Sequence, residues 1–304
     1  MALHRFAFRA MASQNEVQIH ADDPAAAQRA AELAIREVER IEQKYSRYRP
    51  DSLLSRINAA AGGEPVPVDP ETQRLLDYAH ACWRESDGLF DITSGVLRRA
   101  WNFDGERVPS AAELEPLLAL IGWQRVERGE DAVRLPRPGM ELDLGGVGKE
   151  YAVDRAIAVI AEEGIASALV NLAGDLAILA PQPGGRPWRV GIRDPSEKDA
   201  LAATVEVFSG GVATSGDYER CIDVAGVRHS HLLDPRTGRA VQGLRAVTVQ
   251  AQSCLVAGSA STIAMLRGEA QGLRWLEALG LPSYAIGADG RVFNRFEAAG
   301  RPAA

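Results

Sequence analysis

The sequence is poor in cysteine, with only Cys82, Cys221 and Cys254. They are widely spaced and odd in number, with no CxxC pair among them. That excludes a disulfide framework and a cysteine-ligated zinc site, and fits thiols in a reducing compartment. Histidine is also scarce, at five in 304 residues. No stretch approaches the ~18 consecutive apolar residues of a membrane span. Arg9 cuts off the apolar start before it reaches signal-peptide length. A cytoplasmic protein with no membrane insertion is therefore expected. Positive charge is in deficit, 34 Lys and Arg against 41 Asp and Glu, for a net charge of −7. That balance excludes broad, sequence-independent nucleic-acid binding, although a pocket can still supply donors to a phosphate locally. Neither GxGxxG nor GxxxxGK[ST] occurs, so no dinucleotide or P-loop signature is present. Repeats and low-complexity tracts are absent as well.

What is present is an ordinary globular balance, 46% hydrophobic and 25% charged, in a chain long enough to bury a sizeable core. A short strand is expected at Val17–Ile19. Asp23-Pro24 and Asp69-Pro70 each read as an N-cap followed by proline at the first helical position. Ala31, Ala34, Val38, Ile41 and Tyr45 recur at helical spacing after the first. Leu75, Leu76, Ala79, Cys82 and Trp83 do so after the second. Strands are expected at Ala132–Leu135, Glu141–Leu144, Leu169–Asn171, Leu176–Leu179, Trp188–Ile192, Thr204–Phe208 and Ala246–Ala251. Helices are expected at Lys149–Glu163, Cys254–Leu266 and Leu273–Leu279, and hairpins around Ala225-Gly226 and Asp289-Gly290. The fold class is mixed α/β, α+β-like, with antiparallel hairpins and flanking helices. A single domain over 1–304 is expected, with a lobe boundary near the Pro/Gly-rich 181–187. The acidic Glu127–Asp131 patch and the tail after Glu297 read as solvated surface.

Three segments could carry chemistry. In Asp143-Leu-Gly-Gly-Val-Gly-Lys-Glu-Tyr151 a strand runs through three glycines into a helix start, where backbone N–H groups can meet an anion. A tight turn with no ligand explains the same glycines. Val212–Arg220 brings hydroxyls and a glycine between two strands and, taken alone, is a polar turn. In His229-Ser-His-Leu-Leu-Asp-Pro-Arg-Thr-Gly238, Asp234 is accounted for as a turn residue. His231 beside it is either a general base or a structural strand histidine.

Together these segments resemble the ApbE family of FAD:protein FMN transferases. Asp-Leu-Gly-Gly-x-x-Lys-x-Tyr-Ala-Val-Asp at 143–154, the Ala213–Gly216 turn and His231–Gly238 stand in the family's order. So do Ser46-Arg47-Tyr48 with Asp51-Ser52 and Asn58, Ser86–Asp91, and Val170–Asp175. The resemblance runs from about Met11 to about Leu266. It implies two packed lobes with FAD between them, and transfer of FMN to a threonine of an acceptor flavoprotein with release of AMP. It places Met11, Tyr48, Leu89, Phe90 and Asp91 at the flavin and adenosine. Gly145, Gly146 and Tyr151 fall at the phosphates, Ser215 is among the cofactor-binding residues, and His231 stands at the base position. A Mg²⁺ ion would take the Gly148 carbonyl and Thr262. Tyr48 has an independent rationale, since its ring can stack on a flavin or adenine.

One departure stands out. Gly258 occupies the position of the family's metal-binding aspartate, four residues before Thr262, and a hard Mg²⁺ wants that carboxylate. Three readings follow from it. The missing charge comes from Asp217, Asp175 or the acceptor; or the protein is an FAD pyrophosphatase with relaxed metal use; or it is a non-catalytic FAD binder. A second departure, Met11-Ala12-Ser13 in place of Met-Gly-Thr, reads as mild.

Overall fold

The structure, a computed structural model, describes residues 1–197 and 200–296; the tail after Glu297 lies outside them. The chain opens with a hairpin of β1 (Ala2–Ala10) and β2 (Ser13–Ala21). The sequence reading has only Val17–Ile19 here. In β1, Phe6 and Phe8 face inward, but Leu3 and Ala7 on the exposed face blur the alternation. Both turn residues, Met11 and Ala12, are left-handed (φ 51° and 59°), the geometry of the hairpin turn usually given to Asn-Gly.

Helix α1 (Pro24–Tyr45) starts where expected, with the Asp23 side chain accepting from Ala25 N–H. Its Ala27, Ala30, Ala31, Ala34, Val38 and Ile41 are fully buried in the main core. A smaller lobe follows: α2 (Leu53–Ala59), β3 (Val66–Pro67), α3 (Pro70–Glu85), a 3-10 turn at Ser94–Arg99, α4 (Ala111–Leu118), β4 (Glu127–Arg128) and β5 (Ala132–Arg134). Here α3 is capped by Asp69, and α4 by a reciprocal Ser110–Glu113 box.

The remainder builds the large sheet and its covers. It comprises α5 (Gly148–Glu162), β6 (Ser167–Leu172), β7 (Asp175–Ile178), β8 (Trp188–Arg193), β9 (Leu201–Val207), β10 (Gly210–Gly216), β11 (Cys221–Val224), β12 (Val227–Ser230), β13 (Leu244–Ala251), α6 (Cys254–Leu279), β14 (Ser283–Gly287) and β15 (Val292–Asn294). Eight strands form one antiparallel sheet in the order β1-β2-β6-β7-β10-β13-β14-β15. The period of two sorts its side chains. Ala168, Val170, Leu172, Ala213, Val247, Val249 and Ala285 join the core shared with α1, α5 and α6. Leu169, Leu176, Ile178, Val212, Tyr284 and Ile286 meet the β8–β9 hairpin on the opposite face. Segment 181–187 carries the chain from β7 to that covering hairpin.

Two expectations are corrected. Val212–Gly216, read alone as a polar turn, belongs to central strand β10. Its hydroxyls find partners, Thr214 on Thr248 and Ser215 on Ser261 and Thr262, each at 2.8 Å. Glu141–Leu144 is extended but joins no sheet, because the Asn58 side chain accepts from Leu142 N–H (2.7 Å) and donates to its carbonyl (2.9 Å). The two helices expected after Cys254 are both present within α6, where they meet at the non-helical Gly268 (φ 72°).

Candidate active site

The site is built at one end of the large sheet, around the start of α5. Asp143 N–H donates to Ile92 carbonyl (2.7 Å), and the Asp143 carboxylate pairs with Arg47 and accepts from Gly145 N–H. The chain then turns so close to Phe90 that a Cβ on Gly146 would lie 3.1 Å from the ring's Cζ. Helix α5 begins with Val147 as an N-cap that offers no side-chain bond, so its first-turn N–H groups have no side-chain partner there. The Gly148 N–H is taken by the Leu144 carbonyl at 2.7 Å; the remaining N–H groups of a helix start of this kind can meet an anion.

Lys149 in this first turn donates to Asp175 at 2.8 Å. Asp175 opens β7 and is 3% exposed, directly after the left-handed Ala173-Gly174 turn. Burial works against the Lys149 ammonium, but the charge and hydrogen bond of Asp175 and the nearby Glu150 and Glu219 together outweigh it, and its pKa rises. Burial also raises Asp175, opposed by Lys149 and by a bond from the Thr214 backbone.

His231 follows β12, its N–H donating to the Arg220 carbonyl at 2.9 Å. The residue is open to solvent on one side, yet protein crowds it closely enough that desolvation lowers its pKa from 6.5, and the charges acting on it are Glu219, Arg220 and Lys149. Tyr48 is 73% exposed, with the Arg47 guanidinium 4.9 Å over its ring and donating to its hydroxyl at 2.7 Å. Burial raises the Tyr48 pKa, but Arg47 and Arg220 together pull it down. Arg220 thus lies near both Tyr48 and His231. Ser215 of β10 meets Thr262 of α6 at 2.8 Å.

A lysine–aspartate pair, a histidine, an uncapped helix start and a hydroxyl cluster thus converge from segments far apart in the chain. The ApbE family model matches residues 11–285. This chain belongs to the ApbE family. The FAD:protein FMN transferase of Salmonella typhimurium is 31% identical over 281 residues, covering 88% of this chain and 80% of that protein. The one from Vibrio cholerae is 31% identical over 255 residues, covering 82% and 76%. Among solved structures, the ApbE protein from Thermotoga maritima superposes with a TM-score of 0.90 at 30% identity, covering 99% of this chain and all of that one. The Pseudomonas stutzeri flavinyl transferase ApbE superposes at 0.85 with 31% identity, covering 96% and 93%.

Not every ApbE-type position presents a free side chain to this cluster. Leu89 and Phe90 are each 5% exposed and act by packing. The Asp91 carboxylate is committed to its own loop, accepting from Thr93 N–H, the Thr93 hydroxyl and Trp123 N–H at 2.6–3.0 Å. Tyr151 lies about 200° around α5 from Lys149, and its hydroxyl donates to Glu71 at 2.9 Å. Its side chain thus belongs to the α1–α3 contact. Met11 occupies the β1–β2 turn, at the sheet end shared with the β6–β7 turn.

The acids expected to replace the missing aspartate are already engaged. Asp217 pairs with Arg245 (3.1 Å) and Arg228 (3.6 Å), and Asp175 with Lys149. The sequence reading passed over Glu150. It is 7% exposed, and a Cβ on Gly258 would lie 2.5 Å from its Cγ. Burial, with Asp175 adding to it, pushes its pKa up to about 8. The signal in the sequence was an acid directly after Lys149, together with a glycine at 258. Among the described residues no three His, Cys, Asp or Glu side chains form a ready metal cage. The hard oxygens of Ser215, Thr262 and Glu150 nevertheless suit Mg²⁺, which keeps waters and substrate phosphates in its shell. Among the described residues no helix is long and apolar enough to cross a membrane.

Proposed function

We infer that this protein is an FAD:protein FMN transferase. The observation that carries this reading is the convergence of the α5 start, the Lys149–Asp175 pair and His231 at one sheet end, in a chain that matches FMN transferases over most of its length. FAD is the substrate, with its pyrophosphate at the α5 start and its flavin near Tyr48. The second substrate is an acceptor flavoprotein that presents a threonine.

The threonine Oγ attacks the phosphorus on the FMN side. The bond from that phosphorus to the bridging oxygen breaks, and AMP leaves with that oxygen. His231, neutral near pH 7, takes the threonine proton. Lys149 places positive charge beside the pyrophosphate, held in position by Asp175. The Gly148 carbonyl and the Thr262 hydroxyl would hold Mg²⁺, which when bound neutralises charge on the phosphate oxygens. Gly145 and Gly146 let the backbone approach the phosphates. We place the activity in the cytoplasm, since Cys82, Cys221 and Cys254 are free thiols.

The test combines purified protein, FAD, Mg²⁺ and a threonine-bearing acceptor domain, read by intact acceptor mass and flavin fluorescence. An FMN-sized mass gain that EDTA abolishes is expected. No gain with either Mg²⁺ or Mn²⁺ would overturn the reading.

A further inference from the structure

Glu150 and Gly258 face each other across the α5–α6 contact. The helices are pinned there by Asp154, one turn beyond Glu150, which accepts from Cys254 N–H (2.7 Å) and Leu255 N–H (2.9 Å). Residues four apart share a helix face, so Glu150 and Asp154 both address α6, and Gly258 and Thr262 both address α5 and the sheet. A Cβ built on Gly258 would lie 2.5 Å from Glu150 Cγ and 3.1 Å from Cδ and Oε1. The Glu150 carboxylate therefore fills the volume that an aspartate at 258 would occupy.

The carboxylate is also available. Glu150 is 93% buried (7% exposed), and its Oε2 has no hydrogen-bond partner among the described residues. A buried carboxylate oxygen without a partner is costly unless something else satisfies it. Its neighbours cannot serve as substitutes. Asp154 is spent on the first N–H groups of α6, Asp175 on Lys149 and Asp217 on two arginines. Alongside stand hard hydroxyl donors, with Thr262 and Ser215 joined at 2.8 Å.

We propose that Glu150 supplies, from α5, the carboxylate ligand for a divalent cation that position 258 of α6 lacks, alongside Thr262 and the Gly148 carbonyl. The acid has changed helices while the cation site stays in place. This rests on the transferase reading, because the pyrophosphate supplies the remaining oxygens. Single replacements are then asymmetric. Glu150→Gln keeps the shape and removes the charge. Gly258→Asp alone drives a new side chain into Glu150 and does not improve the site. Glu150→Gly with Gly258→Asp returns the carboxylate to α6.

The test measures Mn²⁺ binding to the FAD-bound protein by the loss of free-ion electron paramagnetic resonance signal, without acceptor or turnover. Flavin fluorescence quenching and thermal melting report FAD retention and folding for each variant. Glu150→Gln is expected to retain FAD and weaken Mn²⁺ binding at least about tenfold, and the double exchange to restore it. Glu150→Gln binding Mn²⁺ like the native chain would overturn the proposal and leave the transferase reading intact. A native FAD complex that binds no Mn²⁺ would also overturn it, while FMN transfer in EDTA would then judge the transferase reading separately. If Glu150→Gln fails to fold, the double exchange decides alone: it must fold and bind Mn²⁺, and a folded double variant that binds none overturns the proposal.

Discussion

Ala12 sits at φ 59° in a turn that a glycine would adopt at no steric cost. The reading of Met-Ala-Ser as a mild swap misses this, because composition does not reveal backbone hand. Ala12→Gly should stabilise the protein by up to about 1 kcal/mol, the relief of strain being partly offset by a looser unfolded chain. Urea unfolding midpoints check it; a lower midpoint would mean that the turn is not strained. His231 allows a sharper expectation. His231→Ala should slow FMN transfer at least about 100-fold while FAD still binds. Desolvation lowers the His231 pKa, so its neutral, proton-accepting form persists to lower pH. In the native enzyme kcat/KM should rise with pH through a midpoint below 6.5 and then level off. A midpoint above that value would count against His231 as the base. Its place beside Lys149 and Arg220 was legible because its neighbours in sequence are distinctive. That of Glu150 was not, since it depends on Gly258, far along the chain.

Capped helices were the legible elements. Asp23-Pro24 and Asp69-Pro70 fix the starts of α1 and α3 by local chemistry that needs no tertiary partner. Strand β10 was hidden because Thr214 and Ser215 resemble turn residues until Thr248, Ser261 and Thr262 arrive to satisfy them. The extended Glu141–Leu144 segment mimics a strand because Asn58 does the work of a neighbouring strand. Between α1, α3 and α5, Glu71 gathers Arg40, Lys44 and the Tyr151 hydroxyl. Led by its bond to Arg40, these partners depress its pKa from 4.5 to about 2. A depressed carboxylate contributes stability above its unfolded value, and that contribution is lost as pH falls through the folded one. Glu71→Gln should therefore cost about 1–3 kcal/mol at pH 7. The deficit should shrink as pH falls from 4.5 towards about 2. A deficit independent of pH would show that packing, not charge, is responsible.

Across the whole molecule, a concavity and the site chemistry lie at opposite ends of the sheet. The concavity, about 580 Å³, is lined by Asp154, Ile178, Gln250 and Leu281. Its acid is committed to α6, and it holds neither Lys149 nor His231. FAD at a hundred times its Kd should raise Tm by about 4 °C for a chain of this length. Gly146→Val, which pushes into Phe90, should abolish that rise, and Gln250→Ala should keep it. The reverse pattern would move the flavin to the other end. The contact between Glu150 and Gly258 also bears on how this chain was inherited. Replacing Glu150 first empties the space, and enlarging residue 258 first overfills it. Neither codon is free to drift alone, so a lineage that exchanged one arrangement for the other crossed a handicapped ancestor or changed both together.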